Sequence, residues 1–190
     1  YDVNGEPEGE HPGLMKSTSI MDRGNFNNDG KTPPYFSAIE RELMGTLEVE
    51  DLVVGQHYEL FPTRDAGKAL RIATANPGEY FLIEYRDNYK WDRYIGGSGL
   101  LIYHIDKSEN DVGGITAGER WAINAVNCFA SHGCATLFDA NNGGTISSVF
   151  YPEASNTILS THTYPITRWN GTGTVTGLTN IAQTTQNSIA

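Results

Sequence analysis

Two apolar runs, EYFLIEYR at 79–86 and GLLIYHID at 99–106, constrain the fold of this chain more than any other feature. A strand covered on one face alternates apolar and polar side chains. A strand buried on both faces reads as a nearly continuous apolar run. These two runs are of the second kind and predict central strands with material packed on either side. Period-two patterning starts after Gly45, and GQHYELFP (55–62) and KALRIAT (68–74) are the other clear strand candidates. Weaker candidates follow at WAINAV (121–126), ATLFDA (135–140), TISSVF (145–150) and TNIA (179–182), with NNGGT (141–145) as a hairpin turn.

One stretch has helical spacing. Phe36, Ile39 and Leu43 fall at i, i+3 and i+7 and predict an apolar face on a helix over 35–44. Pro33 and Pro34 are suited to its start, where a backbone N–H has no partner anyway, and Gly45 to its end. One helix followed by many strands predicts an α+β chain, mostly β, with a β-sandwich-like body.

Composition narrows the partners. The 190 residues carry 13 Lys+Arg against 23 Asp+Glu, a net charge of −10. Nucleic acid and anionic membrane surfaces would be repelled by that balance. No apolar run is long enough for a membrane-spanning helix. The 21 Gly and 10 Tyr, with abundant Ser, Thr and Asn, suit a turn-rich β protein of the exported kind, secreted, periplasmic or at the cell surface. The sequence opens at Tyr1 directly in loop-like residues, as expected of a piece of a longer precursor.

Candidate sites are few. Cys128 and Cys134 have five residues between them, which fits either a short-loop disulfide in an oxidising compartment or two unrelated thiols. His104 and Asp106 flank Ile105, so in a strand both project from one face. That pair suits a cation or a substrate group, or, more plainly, a His–Asp hydrogen bond at a strand end. Asn25, Asn27, Asp29 and Gly30 match the first half of a calcium loop, but position 12 falls on Phe36 instead of Glu. A calcium loop outside the EF-hand type and a loop held by Asx turns remain the two readings. Nucleotide-binding glycine motifs, G-x-S-x-G and H-E-x-x-H do not occur.

The segment STSIMDRGNFNNDGKTPPYFSAIERELMG resembles the zinc metallopeptidases of the immune inhibitor A family just after their zinc motif. Ser19-Ile20-Met21-Asp22 matches the family's Met-turn, and Pro34 to Met44 its following helix. PGEYFLIEYRDNYKWDRYIGGSGLLIYHID resembles the family's strand pair, and HGCATLFDA a later element. The resemblance implies that residues 1–45 are the C-terminal strip of a metzincin-like catalytic domain and that 46–190 form the β-rich domain after it. It implies Met21 as the hydrophobic floor of a zinc site and Asp2 as a third zinc ligand. The helix with two His ligands and the general-base Glu would lie immediately ahead of Tyr1. The intact protein would then be a secreted zinc endopeptidase acting on peptide or protein substrates, with zinc as its cofactor; calcium enters only through the loop reading of Asn25, Asn27 and Asp29. The chain by itself is expected to be inactive, because an open zinc site needs three protein ligands and a metal-bound water. The competing expectation is a non-catalytic β-sandwich module that binds a glycan or a protein through Trp91, Trp121, Trp169 and several Tyr.

Overall fold

A computed structural model describes residues 15–129, 133–137 and 150, together with the backbone of short strands at 183–185 and 188–189. Its centre is a five-stranded mixed sheet: β1 (Glu48–Asp51), β2 (Lys68–Ala73), β3 (Glu79–Arg86), β4 (Gly99–Asp106) and β7 (Ala135–Leu137), in the order β1-β2-β3-β4-β7. β1 runs parallel to β2, and every other neighbour is antiparallel. Between β4 and β7 the chain adds a two-stranded ribbon of β5 (Asp111–Val112) and β6 (Ile115–Thr116), while β8 (Gln183–Thr185) pairs with β9 (Ser188–Ile189). Three short α-helices, α1 (Ala38–Leu43), α2 (Thr63–Ala66) and α3 (Ala117–Ala122), and three short 3-10 helices at Lys16–Thr18, Arg23–Phe26 and Lys90–Tyr94 complete the described elements. The expectation of an α+β chain, mostly β, is what the structure has. None of the described helices is long and apolar enough to cross a membrane.

The two apolar runs are β3 and β4, residue for residue. All eight residues of β3 are buried, as are all of β4 except the half-buried His104. Leu82, Leu101, Tyr103 and Ile105 enter one core with Met15, Ala38, Ile39, Ile95, Val126 and Ala135. Phe81, Ile83, Tyr85, Leu100 and Ile102 enter a second core with Leu60, Leu70 and Ile72. Each fully buried side chain of this kind contributes about 1.5–3 kcal/mol over its exposed state, so the sheet centre dominates the stability. The first core is closed by residues 15–43, which therefore pack directly on the β-rich body. The second lies under the crossover between the parallel strands β1 and β2, through Leu52, Tyr58 and Leu60.

Three sequence expectations are corrected. GQHYELFP forms no ladder: Pro62 makes an isolated bridge to Tyr85, while Tyr58 and Leu60 lie on the sheet face as its cover. Alternation there reflects a segment lying across a sheet, and Pro62 has no N–H for a ladder. WAINAV is not a strand, because α3 ends inside it at Ala122. Thr116 accepts from Glu119 N at 3.1 Å while Thr116 N donates to Glu119 Oε2 at 2.8 Å, a capping box that commits the backbone to helix. The predicted helix over 35–44 is shorter, and its start is set by Ser37, not by Pro33 or Pro34. Phe36 lies ahead of that cap and is 46% exposed, and Leu43 is 52% exposed, so the buried face is Ala38, Ile39 and Glu40. Gly45 does close the helix, at φ +68°, a left-handed conformation that glycine adopts at no steric cost. NNGGT, TNIA and all of TISSVF except Phe150 lie outside the described residues.

Candidate functional site

Residues 15–24 form a compact double turn on the edge of the first core. Asp22 N donates to Ser19 O at 3.3 Å, so Ser19-Ile20-Met21-Asp22 is a four-residue turn, and Gly24 N closes on the same carbonyl at 2.9 Å. Asp22 then reaches back, its Oδ2 accepting from Met15 N at 2.8 Å and Lys16 N at 3.0 Å. Gly24 is required by close approach: a Cβ there would stand 2.3 Å from Ser19 O and 2.8 Å from Pro34 Cγ. Met21, the implied floor of a metal site, sits in this turn with half its side chain exposed. The core methionine here is Met15, which is fully buried.

The turn is tied to α1 through a single carboxylate. Glu40 is 5% exposed. Its Oε2 accepts from Ser37 N at 2.6 Å and Ser37 Oγ at 2.8 Å, completing the capping box of α1. Its Oε1 accepts from Ser19 Oγ at 2.7 Å and from Met21 N at 3.2 Å. The S-x-x-E spacing that caps the helix thus also holds the turn in place.

Beneath the turn lies a buried charge cluster supplied by β3 and the β3–β4 connection. Arg86, 2% exposed, forks onto Asp92 through Nε at 2.7 Å and through Nη2, and donates from Nη2 to Tyr35 O at 3.0 Å. Its Nη1 faces Glu84 Oε1 at 3.3 Å and Thr18 O at 3.4 Å. Asp92 Oδ1 also accepts from Tyr35 N at 3.0 Å. Tyr103 donates a short hydrogen bond to Glu84 Oε1, while Glu84 Oε2 has no hydrogen-bond partner among the described residues. Burial works against the charge of Arg86, but the adjacent Glu84 and Asp92 carboxylates outweigh it and hold its pKa above the ordinary value. Burial, reinforced by the Glu84 charge, pushes the Tyr103 phenol well above its usual range. The cluster fixes the Thr18 carbonyl, just ahead of the Ser19–Asp22 turn, and the Tyr35 carbonyl, just ahead of α1, onto the sheet.

The other candidates fall elsewhere. His104 and Asp106 do share a face, but they are not partners. His104 Nε2 meets Glu79 Oε1 at 2.9 Å across the β3–β4 pair and stacks against Phe81 at 5.2 Å. Asp106 is fully buried and receives Ser108 N at 2.9 Å and Asn110 Nδ2 at 2.9 Å, so it caps the turn after β4. The expected His–Asp hydrogen bond is therefore replaced by a His–Glu pair: Glu79, diagonal to His104 across the β3–β4 pair, receives the imidazole, while Asp106 is taken up by Ser108 and Asn110. Asn27 is buried and donates to Ser17 O at 3.0 Å, while Asn25 and Asp29 stay at the surface and Asp29 faces Lys31 at 3.8 Å. Asn28, Asp29 and Gly30 all have positive φ, which is turn chemistry. Cys128 is half-buried and Cys134 fully buried, and both are free thiols in this structure. Trp91 is 48% exposed, whereas Trp121 is half-buried and donates from Nε1 to Asp106 O at 2.6 Å. Asp2 and Trp169 lie outside the described residues.

Among the described residues no three His, Cys, Asp or Glu side chains converge as a metal-ligand set. His57 is exposed and His104 is committed to Glu79. These residues alone do not fit a zinc centre, so ligands for one would come from other segments. Sequence inspection missed Glu40, Glu84, Arg86 and Asp92. Two signals were present: the S-x-x-E spacing at 37–40, and charges inside an apolar strand at 84 and 86, where a buried charge demands a partner. Comparison with protein-family models, curated proteins and solved structures returns no match.

Proposed function

We propose that residues 15–45 are the turn-and-helix element lying beneath the zinc site of a secreted endopeptidase, and that the metal ligands come from outside the described residues. The observation that carries this reading is the four-residue Ser19–Asp22 turn, which leaves Met21 half exposed while its backbone is locked by Glu40. A methionine serving an ordinary core would be buried, as Met15 is; one held rigidly at a surface suits a hydrophobic floor for a neighbouring element. The resemblance to the immune inhibitor A metallopeptidases supports this reading, under which a H-E-x-x-H helix elsewhere in the full gene product would supply the metal ligands. Peptide bonds would be its substrate class and zinc its cofactor.

The test uses the full gene product. It should contain that helix, bind zinc in a one-to-one ratio and hydrolyse a casein-type substrate, with Met21→Ala lowering the rate. A gene product with no such motif and no bound zinc would overturn the reading. A second reading, a non-catalytic binding module, is favoured by Tyr89, Trp91 and Tyr94, which are 54%, 48% and 42% exposed within six consecutive residues. Aromatic faces grouped in this way suit the faces of sugar rings or a partner protein. Under that reading Trp91→Ala abolishes binding to a glycan array or partner, and the full product shows no peptidase activity.

A further inference from the structure

We infer that Cys128 and Cys134 form an intramolecular disulfide by exchange with a low-molecular-weight disulfide, such as oxidised glutathione. The cysteines have five residues between them in the sequence, and the residues near them are tied together. Cys134 N donates to Val126 O at 3.1 Å. The buried Asn127 amide takes both backbone groups of Ala135, donating from Nδ2 to its carbonyl at 2.7 Å and accepting its N–H at 3.0 Å. Cys134 O is fixed from the other side by Asp106 N at 2.9 Å. A disulfide needs Cα atoms roughly 4.4–6.8 Å apart. The backbone bond holds Cys134 against Val126, two residues from Cys128, the Asn127 side chain holds Ala135 one residue from each cysteine, and the Cys128 thiol is close enough for its charge to act on Cys134. These bonds involve no sulfur, so they hold whether or not the sulfurs are bonded.

The environments of the two thiols give the reaction an order. Cys128 is half-buried and meets solvent; Cys134 is fully buried, and burial pushes its thiol up to about 12, so it stays protonated at neutral pH. Exchange starts with the Cys128 thiolate attacking one sulfur of oxidised glutathione. A Cys128–glutathione bond forms, the glutathione disulfide breaks, and one glutathione thiolate leaves and takes a proton. Cys134 then loses its proton to solvent and attacks the Cys128 sulfur. The Cys128–Cys134 bond forms, and a second glutathione leaves as its thiol. Two protein thiols are oxidised and one glutathione disulfide is reduced to two thiols. The second step is slow, because it waits on the high-pKa thiol, and it speeds up as the pH rises. This inference does not depend on the peptidase reading.

The test incubates the reduced, folded chain with oxidised glutathione and follows intact mass and peptide maps. The expected course is transient addition of one glutathione at Cys128, then its loss to leave a Cys128–Cys134 cross-linked peptide and a mass lower by two hydrogens. Cys134→Ser should stop at the mixed disulfide, and Cys128→Ser should take up no glutathione while folded. Should Cys134→Ser fail to fold, the wild-type peptide map and Cys128→Ser, at the less buried cysteine, still decide the matter. Stable glutathione on both cysteines, a Cys128-linked dimer, or an unreactive Cys128 in the folded chain would each overturn the inference.

Discussion

Glu40 is where the loss of one side chain should be felt most sharply. In Glu40→Ala the reciprocal half of the α1 capping box disappears, and Ser37 N and Ser19 Oγ lose their acceptor in a buried position. Met21 N keeps a second acceptor, Ser19 Oγ at 3.1 Å. Three buried donors, Ser37 N, Ser37 Oγ and Ser19 Oγ, lose this acceptor, each at about 1 kcal/mol or more, so the total is about 3 kcal/mol. With a urea slope of about 2 kcal/mol/M, the unfolding midpoint falls by about 1.5 M. Glu40→Gln keeps one carbonyl oxygen but turns an amide NH2 toward donors, so it should fall between wild type and alanine. The assay is urea unfolding followed by fluorescence, paired with amide hydrogen exchange at Met21 and Ser37. If the alanine variant unfolds within about 0.5 kcal/mol of wild type, the level of an ordinary surface change, and both amides keep their protection, then Glu40 is not the clamp described here.

Other predictions follow from the same structure. Gly24→Ala forces a Cβ against Ser19 O and Pro34, so it should destabilise by about 1–3 kcal/mol or more, read as a lower thermal midpoint. Thr116→Ala should cost about 1 kcal/mol through loss of the α3 cap, and Thr116→Ser should restore most of it in the same melt. Tyr80, Tyr85 and Tyr103 all have raised pKa values, chiefly from burial. Above a pH of about 10 the unfolded chain releases phenol protons that the folded chain retains, so stability is full below that pH and falls as the pH rises further. An ultraviolet phenolate titration should show these three ionising only with unfolding; their titration in the folded protein at ordinary values would count against the buried assignment. Met21→Ala, at a half-exposed position, should leave the unfolding midpoint of this chain nearly unchanged, within about 0.5 kcal/mol.

The sequence by itself determined the centre of the fold. β3 and β4 were legible to the residue because strands buried on both faces need continuous apolar character, and that requirement is local. The end of α1 was legible for a similar reason, since Gly45 supplies a left-handed turn on its own. Only the tertiary structure decided what period-two alternation meant at 55–62. A strand and a segment draped across a sheet bury alternate residues alike, and they differ only in where the backbone finds its hydrogen bonds. It also decided the partners of the buried charges. His104 met Glu79 instead of Asp106, and Arg86 met Asp92 and Glu84, because the cross-strand register and the β3–β4 connection set those distances. Glu40 shows the division within one residue. Its capping role is written in the S-x-x-E spacing, whereas its hold on Ser19 and Met21 spans about twenty positions of sequence and exists only once the turn and helix are packed on the sheet.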